Sequence, residues 1–211
     1  MRIIAVLGDY YHEEAPLREA LSQVMNKLQG VELIYSIRKD LKTHLKTNPE
    51  LVILGSENRI DPTVEEPNEW MRDLDEISII EYVENGGSWL AWHSGLASYE
   101  NNASYTDMIG GHFKHHPEKH VTVRYQYREN HDLGKGEDGF SITDEHYFIE
   151  QSEGVSVFLE SISEHGESVA GWSKRYGKGK VCAFIPAHNR EGLLDASVQD
   201  GLRNVIEWLS D

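Results

Sequence analysis

The chain has 211 residues, 36 acidic against 20 basic side chains and a formal charge of -16. That length suits one α/β domain, spanning residues 1–211, with a single sizeable core. The charge repels polyanions, which excludes nucleic acid as the expected partner and leaves a neutral polar ligand such as a sugar unpenalised.

No apolar run reaches the roughly 18–20 residues of a spanning helix, and Met1-Arg2 leads into a strand without a cleavable signal. No membrane association is expected, and the chain is read as cytoplasmic. The lone cysteine, Cys182, precludes an internal disulfide and sits in the apolar run Val181-Cys182-Ala183-Phe184-Ile185, where it reads as a buried small hydrophobe.

Residues 3–7, Ile-Ile-Ala-Val-Leu, form the continuous apolar run of a central parallel strand. After Gly8-Asp9-Tyr10-Tyr11-His12, the positions Leu17, Leu21, Val24 and Leu28 recur at helical spacing until Gly30. Strands follow at 31–37 and 51–55, with a short helical piece near 40–46 between them. The segment 56–70, with Asp61-Pro62 and Glu66-Pro67, reads as a loop. A helix with apolar positions Ile77, Ile80 and Val83 then ends at Gly86-Gly87, and 88–92 is a short buried strand. The alternation predicts a doubly wound α/β sheet.

The strand at 88–92 runs into a corner. At the apex of a strand-turn-helix elbow one side chain projects into the site, and its neighbours two residues away on either side must be small. Ala91 and Gly95 flank His93 in that way, whereas Ser94 at the apex would set Trp92 and Leu96 against the backbone. The apex is therefore His93, read as functional or as part of a plain βα connection.

A helix is expected from Gly95 toward Met108, ending at Gly110-Gly111. His112-Phe113-Lys114-His115-His116-Pro117 lacks an apolar period and reads as an imidazole-rich loop, while 120–127 alternates like a half-exposed strand. Residues 134–139 break the chain again. Asp144-Glu145 either starts a local helix or brings carboxylates to a site. Another strand spans 155–161. Residues 169–174 and 180–185 flank Tyr176-Gly177-Lys178-Gly179 as a hairpin ending at His188. The last helix carries Val198, Leu202, Val205, Ile206 and Leu209 inward.

Ligands of open parallel sheets bind where strand ends, loops and helix N-termini converge. Asp9, Tyr10, His12, His93 and His188 fall at that edge, and the loop can add His112, His115 or His116. Most of His44, His120, His146 and His165 are expected to be solvated surface. Tyr10, Tyr11, Trp70, Trp92 and Tyr99 are candidate aromatic walls, or else core.

Gly87 to Gly95 with histidine at the corner, Ile109-Gly110-Gly111-His112-Phe113-Lys114-His115-His116-Pro117, Asp144-Glu145-His146-Tyr147, and Trp172 with Gly177-Lys178-Gly179-Lys180-Val181 leading to His188 together resemble the ThuA-like proteins of trehalose utilisation, within the class I glutamine amidotransferase-like superfamily. The resemblance implies a flavodoxin-like α/β sandwich with a mostly parallel central sheet. That superfamily places a nucleophilic cysteine at the elbow and a histidine-carboxylate pair after a later strand. Here His93 replaces the thiol, so thiolate attack on an amide is unavailable and glutaminase activity is expected to be absent. His188 matches the histidine position, with Glu191 at a departing spacing.

Two readings follow. In one, an enzyme acts on a sugar or keto-sugar with His93, His188 and Glu145 moving protons and with Asp9, Tyr10, His12, Trp92, His112, His115 and Tyr147 binding substrate. A divalent ion such as zinc is a variant of it, although no compact motif such as His-Glu-x-x-His is present. In the other, the crevice belongs to a non-catalytic sugar-binding or regulatory module. A homodimer is the default assembly.

Overall fold

The structure, a computed structural model, describes residues 1–134 and 138–211, so the chain break expected over 134–139 lies in part outside the described residues. Strand β1 (Arg2–Leu7) leads to helix α1 (Glu14–Met25), strand β2 (Glu32–Ser36), the short α2 (Leu41–Leu45) and strand β3 (Leu51–Gly55). Helix α3 (Asp73–Glu84), strand β4 (Ser88–Trp92) and helix α4 (Ala103–Ile109) follow. The chain then makes strands β5 (Gly111–His115), β6 (Val121–Tyr127), β7 (Phe140–Asp144), β8 (Phe148–Gln151), β9 (Ser156–Ser163), β10 (Gly166–Tyr176) and β11 (Gly179–Phe184). Helices α5 (Arg190–Leu193) and α6 (Ala196–Ser210) close it.

Among the described residues, nine strands form one sheet in the order β2-β1-β3-β4-β11-β10-β9-β6-β7, while β5 and β8 pair as a separate antiparallel ribbon. From β2 to β11 every pair is parallel, and from β11 to β7 every pair is antiparallel. The parallel half is the flavodoxin-like part of the α/β sandwich. Its strands β3 and β4 are buried at every position, as expected where helices cover both faces. On one side α1 packs against α6; α3 meets α2 and α4.

Local chemistry sets these elements. Asp195 caps α6 by accepting from the N–H groups of Ser197 and Val198, and Val198, Leu202, Val205, Ile206 and Leu209 are all buried, each such side chain contributing roughly 1.5–3 kcal/mol. In α3 the buried positions are Ile79, Tyr82 and Val83, whereas Ile77 is 51% exposed. The helix is apolar around much of its circumference, so its inward stripe is decided by packing. The helix expected from Gly95 begins only at Ala103; residues 93–96 form a single 3-10 turn.

Candidate functional site

The elbow after β4 is a strained corner. His93 has φ of 46°, and a Cβ on Gly95 would meet the Leu54 carbonyl oxygen at 2.1 Å. Only glycine fits there, as the sequence predicts. Trp92 is fully buried and donates from Nε1 to the Pro186 carbonyl, so it anchors the corner inside the core and stays out of the cavity. The Nδ1 of His93 lies 2.7 Å from the Ile185 carbonyl oxygen. A carbonyl can only accept, so Nδ1 carries the proton and the Nε2 lone pair is left facing inward.

At the exit of β1, Gly8 turns the chain with φ of 87°. The buried carboxylate of Asp9 accepts from the backbone N–H groups of Tyr11, His12 and Glu57. It also holds His12 Nδ1 at 2.6 Å, which turns His12 Nε2 inward in the same way. His188 follows β11, and its ring lies 4.7 Å from that of His12 and 5.5 Å from that of His93.

The carboxylate of this cluster comes from the other half of the sheet. Glu145 follows β7, and Asp144 Oδ1 accepts from the backbone N–H of His188, tying the end of β7 to the exit of β11 although β10, β9 and β6 lie between them. The antiparallel half therefore curls back over the strand ends. Glu145 Oε2 lies 3.0 Å from His188 Nδ1 and 3.5 Å from His93 Nε2. Its Oε1 faces His116 Nε2 at 3.8 Å and His120 Nε2 at 3.7 Å, both on half-exposed rings. One inward atom each from His12, His93, His188 and Glu145 lies within 4.8 Å of the others.

A cavity of about 370 Å³ opens over this cluster, lined by His12, Glu145, His188, Tyr147, Glu57 and Arg59, with Phe113 and His116 from the β5–β8 side. His93 sits beneath its floor, 1% exposed, stacked on Tyr147 at 4.3 Å. A groove of about 850 Å³ shares Asp9 and His12 and runs along the exits of β1 and β2 to Arg38 and Trp70.

Burial pushes the His93 imidazole below its ordinary pKa, against the pull of Glu145. Burial also works to lower His188, but the hydrogen bond and charge of Glu145 carry it upward. For Glu145, burial is outweighed by the hydrogen bonds and charges of His188 and His93, which hold the carboxyl well below the usual range. Asp9 is held down likewise: the hydrogen bond and charge of His12 overcome its burial. Glu57 is raised by burial, which Arg59 only partly offsets.

Of the residues singled out from the sequence, Asp9, His12, His93, Glu145, Tyr147 and His188 come together. His112 and His115 do not. Residues 111–115 are a strand and not a loop, and that strand aims Phe113 at Tyr147 while His115 stacks outside on Phe148 at 4.8 Å. Tyr10 is 59% exposed, edge-on to Tyr11, which does line the cavity. Glu191 is exposed, and Glu145 is the carboxylate partner of His188.

Of the histidines expected at the surface, His120 is exposed yet reaches the site, and His146 is placed otherwise. His120 joins the cluster's outer edge, and His146 is buried with its two ring nitrogens 2.7 Å from Ser163 Oγ and 3.0 Å from Ser161 Oγ. Glu57 and Arg59, at the exit of β3, went unremarked in the sequence; their place after a buried strand is the signal that points to them.

The fold has known counterparts. A ThuA-like protein from Parabacteroides merdae superposes with a TM-score of 0.75 at 13% identity, covering 100% of this chain and 90% of the other. Another from Bacteroides uniformis gives 0.73 at 18% identity, covering 99% and 91%. A Salmonella typhimurium LT2 protein described as cytoplasmic gives 0.73 at 12% identity, covering 100% of both chains. At these identities the likeness shows the fold alone. No curated protein matches the chain. Among the described residues no helix is long and apolar enough to cross a membrane. The sequence pattern of the ThuA family, described as trehalose utilisation, matches residues 6–209, and the chain belongs to that family.

Proposed function

We propose that this protein works in carbohydrate metabolism in the cytoplasm, acting on a sugar or keto-sugar of the trehalose type with His93, His188 and Glu145 as its reacting centre and without glutaminase activity. The observation that carries the reading is the convergence of three imidazoles and one carboxylate at the base of a covered cavity. A scaffold that only binds has no use for buried ring nitrogens gathered on one carboxylate, and His93 Nε2 and His188 Nδ1 converge on Glu145 Oε2 while His12 Nε2 is left without a hydrogen-bond partner. The family supports the substrate class, and the acidic surface suits a neutral ligand. The cavity and the adjoining groove meet at His12, offering one space for each ring of a disaccharide. Amide chemistry through a thiolate is disfavoured because Cys182 is fully buried in β11.

In this reading Glu145 and His188, both on the cavity wall, handle the protons, and His93 reaches the same carboxylate oxygen from below. Glu145 takes the proton from the carbon beside a keto group. The C–H electron pair becomes the enol double bond, and His188 delivers a proton to the carbonyl oxygen. Tyr147 and Phe113 roof the reaction.

The test is turnover of keto-trehalose and trehalose by the wild type, His93→Ala and His188→Ala. Each substitution is expected to lower turnover by about 100-fold or more. Equal turnover in all three proteins would remove the reading.

A further inference from the structure

We propose that His12 Nε2, His93 Nε2, His188 Nδ1 and Glu145 Oε2 are the ligands of one divalent first-row transition-metal ion. This deepens the reading above and rests on it only for the use to which the ion is put.

Three observations carry it. First, the four inward atoms lie within 4.8 Å of one another, from three strand exits of the parallel half and one of the antiparallel half. Tetrahedral bonds of about 2.0–2.1 Å put ligands roughly 3.4 Å apart. The separations of Glu145 Oε2 from His188 Nδ1 and His93 Nε2, 3.0 and 3.5 Å, bracket that spacing.

Second, all three nitrogens are buried: His12 Nε2 has no hydrogen-bond partner, and His93 Nε2 and His188 Nδ1 both converge on the one oxygen Glu145 Oε2, at 3.5 and 3.0 Å. Proton transfer needs one or two imidazoles. Three inward nitrogens gathered around one carboxylate oxygen are the donor set of a cation. The position of His93 fits as well: 1% exposed and outside the cavity lining, it is placed to hold an ion from beneath.

Third, two of the rings are oriented through their far nitrogen, His12 by the Asp9 carboxylate at 2.6 Å and His93 by the Ile185 carbonyl at 2.7 Å. Metal-bound histidines are held by such partners, which fix the tautomer and sharpen the donor. Three nitrogens and one oxygen suit zinc and its first-row neighbours and do not suit calcium or magnesium, which take oxygen ligands. With four protein ligands the ion would polarise a substrate oxygen only as a fifth ligand, where His188 and Glu145 otherwise share a proton, while Glu145 Oε1 stays free toward His116 and His120.

The experiment uses the full chain without a polyhistidine tag, stripped with chelator and titrated calorimetrically with zinc chloride and, separately, with cobalt chloride followed by visible absorption. The expected result is one ion per chain and an intense cobalt spectrum of low coordination number. Affinity should fall by about 100-fold in His12→Gln and in His93→Gln, with thermal melts confirming that both variants are folded. No saturable uptake, or equal uptake by wild type and the double variant His12→Gln/His93→Gln, overturns the metal site. Keto-sugar turnover by stripped protein, unchanged by added zinc, overturns the ion's use in the reaction and leaves the proton-transfer reading standing. Stoichiometric uptake without sugar turnover upholds the metal site and removes the sugar reading instead.

Discussion

The two halves of the sheet serve the site differently. The parallel half delivers His12, His93 and His188 on backbone that leaves a strand within a few residues, with two of the rings oriented by the adjacent Asp9 and Ile185. The antiparallel half delivers one ligand-bearing residue, Glu145, from the end of edge strand β7, and what holds it over the strand ends is the tie from Asp144 to the N–H of His188. The imidazoles are set by local geometry and the carboxylate by long-range curling. The largest effect should therefore come from the single group of the antiparallel half. Glu145→Gln keeps volume and removes the charge that His188, His93, His116 and His120 all face. Keto-sugar turnover should fall by about 100-fold or more, and zinc affinity by a similar factor. A variant that keeps both would show that the parallel half suffices.

Asp9→Asn probes the parallel half. The amide keeps one oxygen, enough for the Tyr11 and His12 N–H groups that share Oδ1, but sets an NH2 in place of the Oδ2 that accepts from the Glu57 N–H, and it loses the charge that holds His12 Nδ1–H. Because Asp9 acts through His12, the expected effect is smaller: a 10–100-fold loss of zinc affinity. Calorimetric titration beside a thermal melt separates this from a folding defect. Unaltered affinity would mean that the orientation of His12 is set by packing alone.

The same contrast explains which parts were legible in the sequence. Continuous apolar runs mark β1, β3 and β4, and Ala91 with Gly95 mark the elbow, because these signals are local. His93 and His188 follow from them. The ribbon β5–β8 was unreadable: it is half-exposed, carries Gly, His and Lys, and its inward aromatic contacts, Phe113 on Tyr147 and Phe148 on the buried His146, leave no period in the sequence. His120 looks like any solvated histidine until β7 curls back and sets Glu145 beside it. His146 is hidden because its partners, Ser161 and Ser163, come from β9, whose closeness no periodicity reveals. Which of the apolar positions of α3 face inward is likewise unreadable, since a helix with apolar residues on several sides has no stripe to read.

Two carboxylates on the cavity wall give the finest comparison. Glu145, from the antiparallel half, is surrounded by imidazoles, and its carboxyl is held low. Glu57, from the parallel half, is 1% exposed, and among the described residues its side chain pairs with Arg59 and Ser98 and keeps Oε1 without a partner. Burial raises its pKa, so the folded chain binds that proton more tightly than the unfolded chain does. The sign follows. Below the ordinary glutamate pKa both states hold the proton and Glu57 costs nothing; as pH rises through the raised value, folding must bury a charge and stability is lost. Glu57→Gln is neutral throughout and can still accept from Arg59 and Ser98. Its melting temperature should gain on the wild type as pH climbs from acid to neutral, by something on the order of 2–4 °C. Thermal melts of both proteins across that range measure the difference. A constant offset would mean that Arg59 fully compensates the buried charge, and the two carboxylates would then differ only in which half of the sheet they come from.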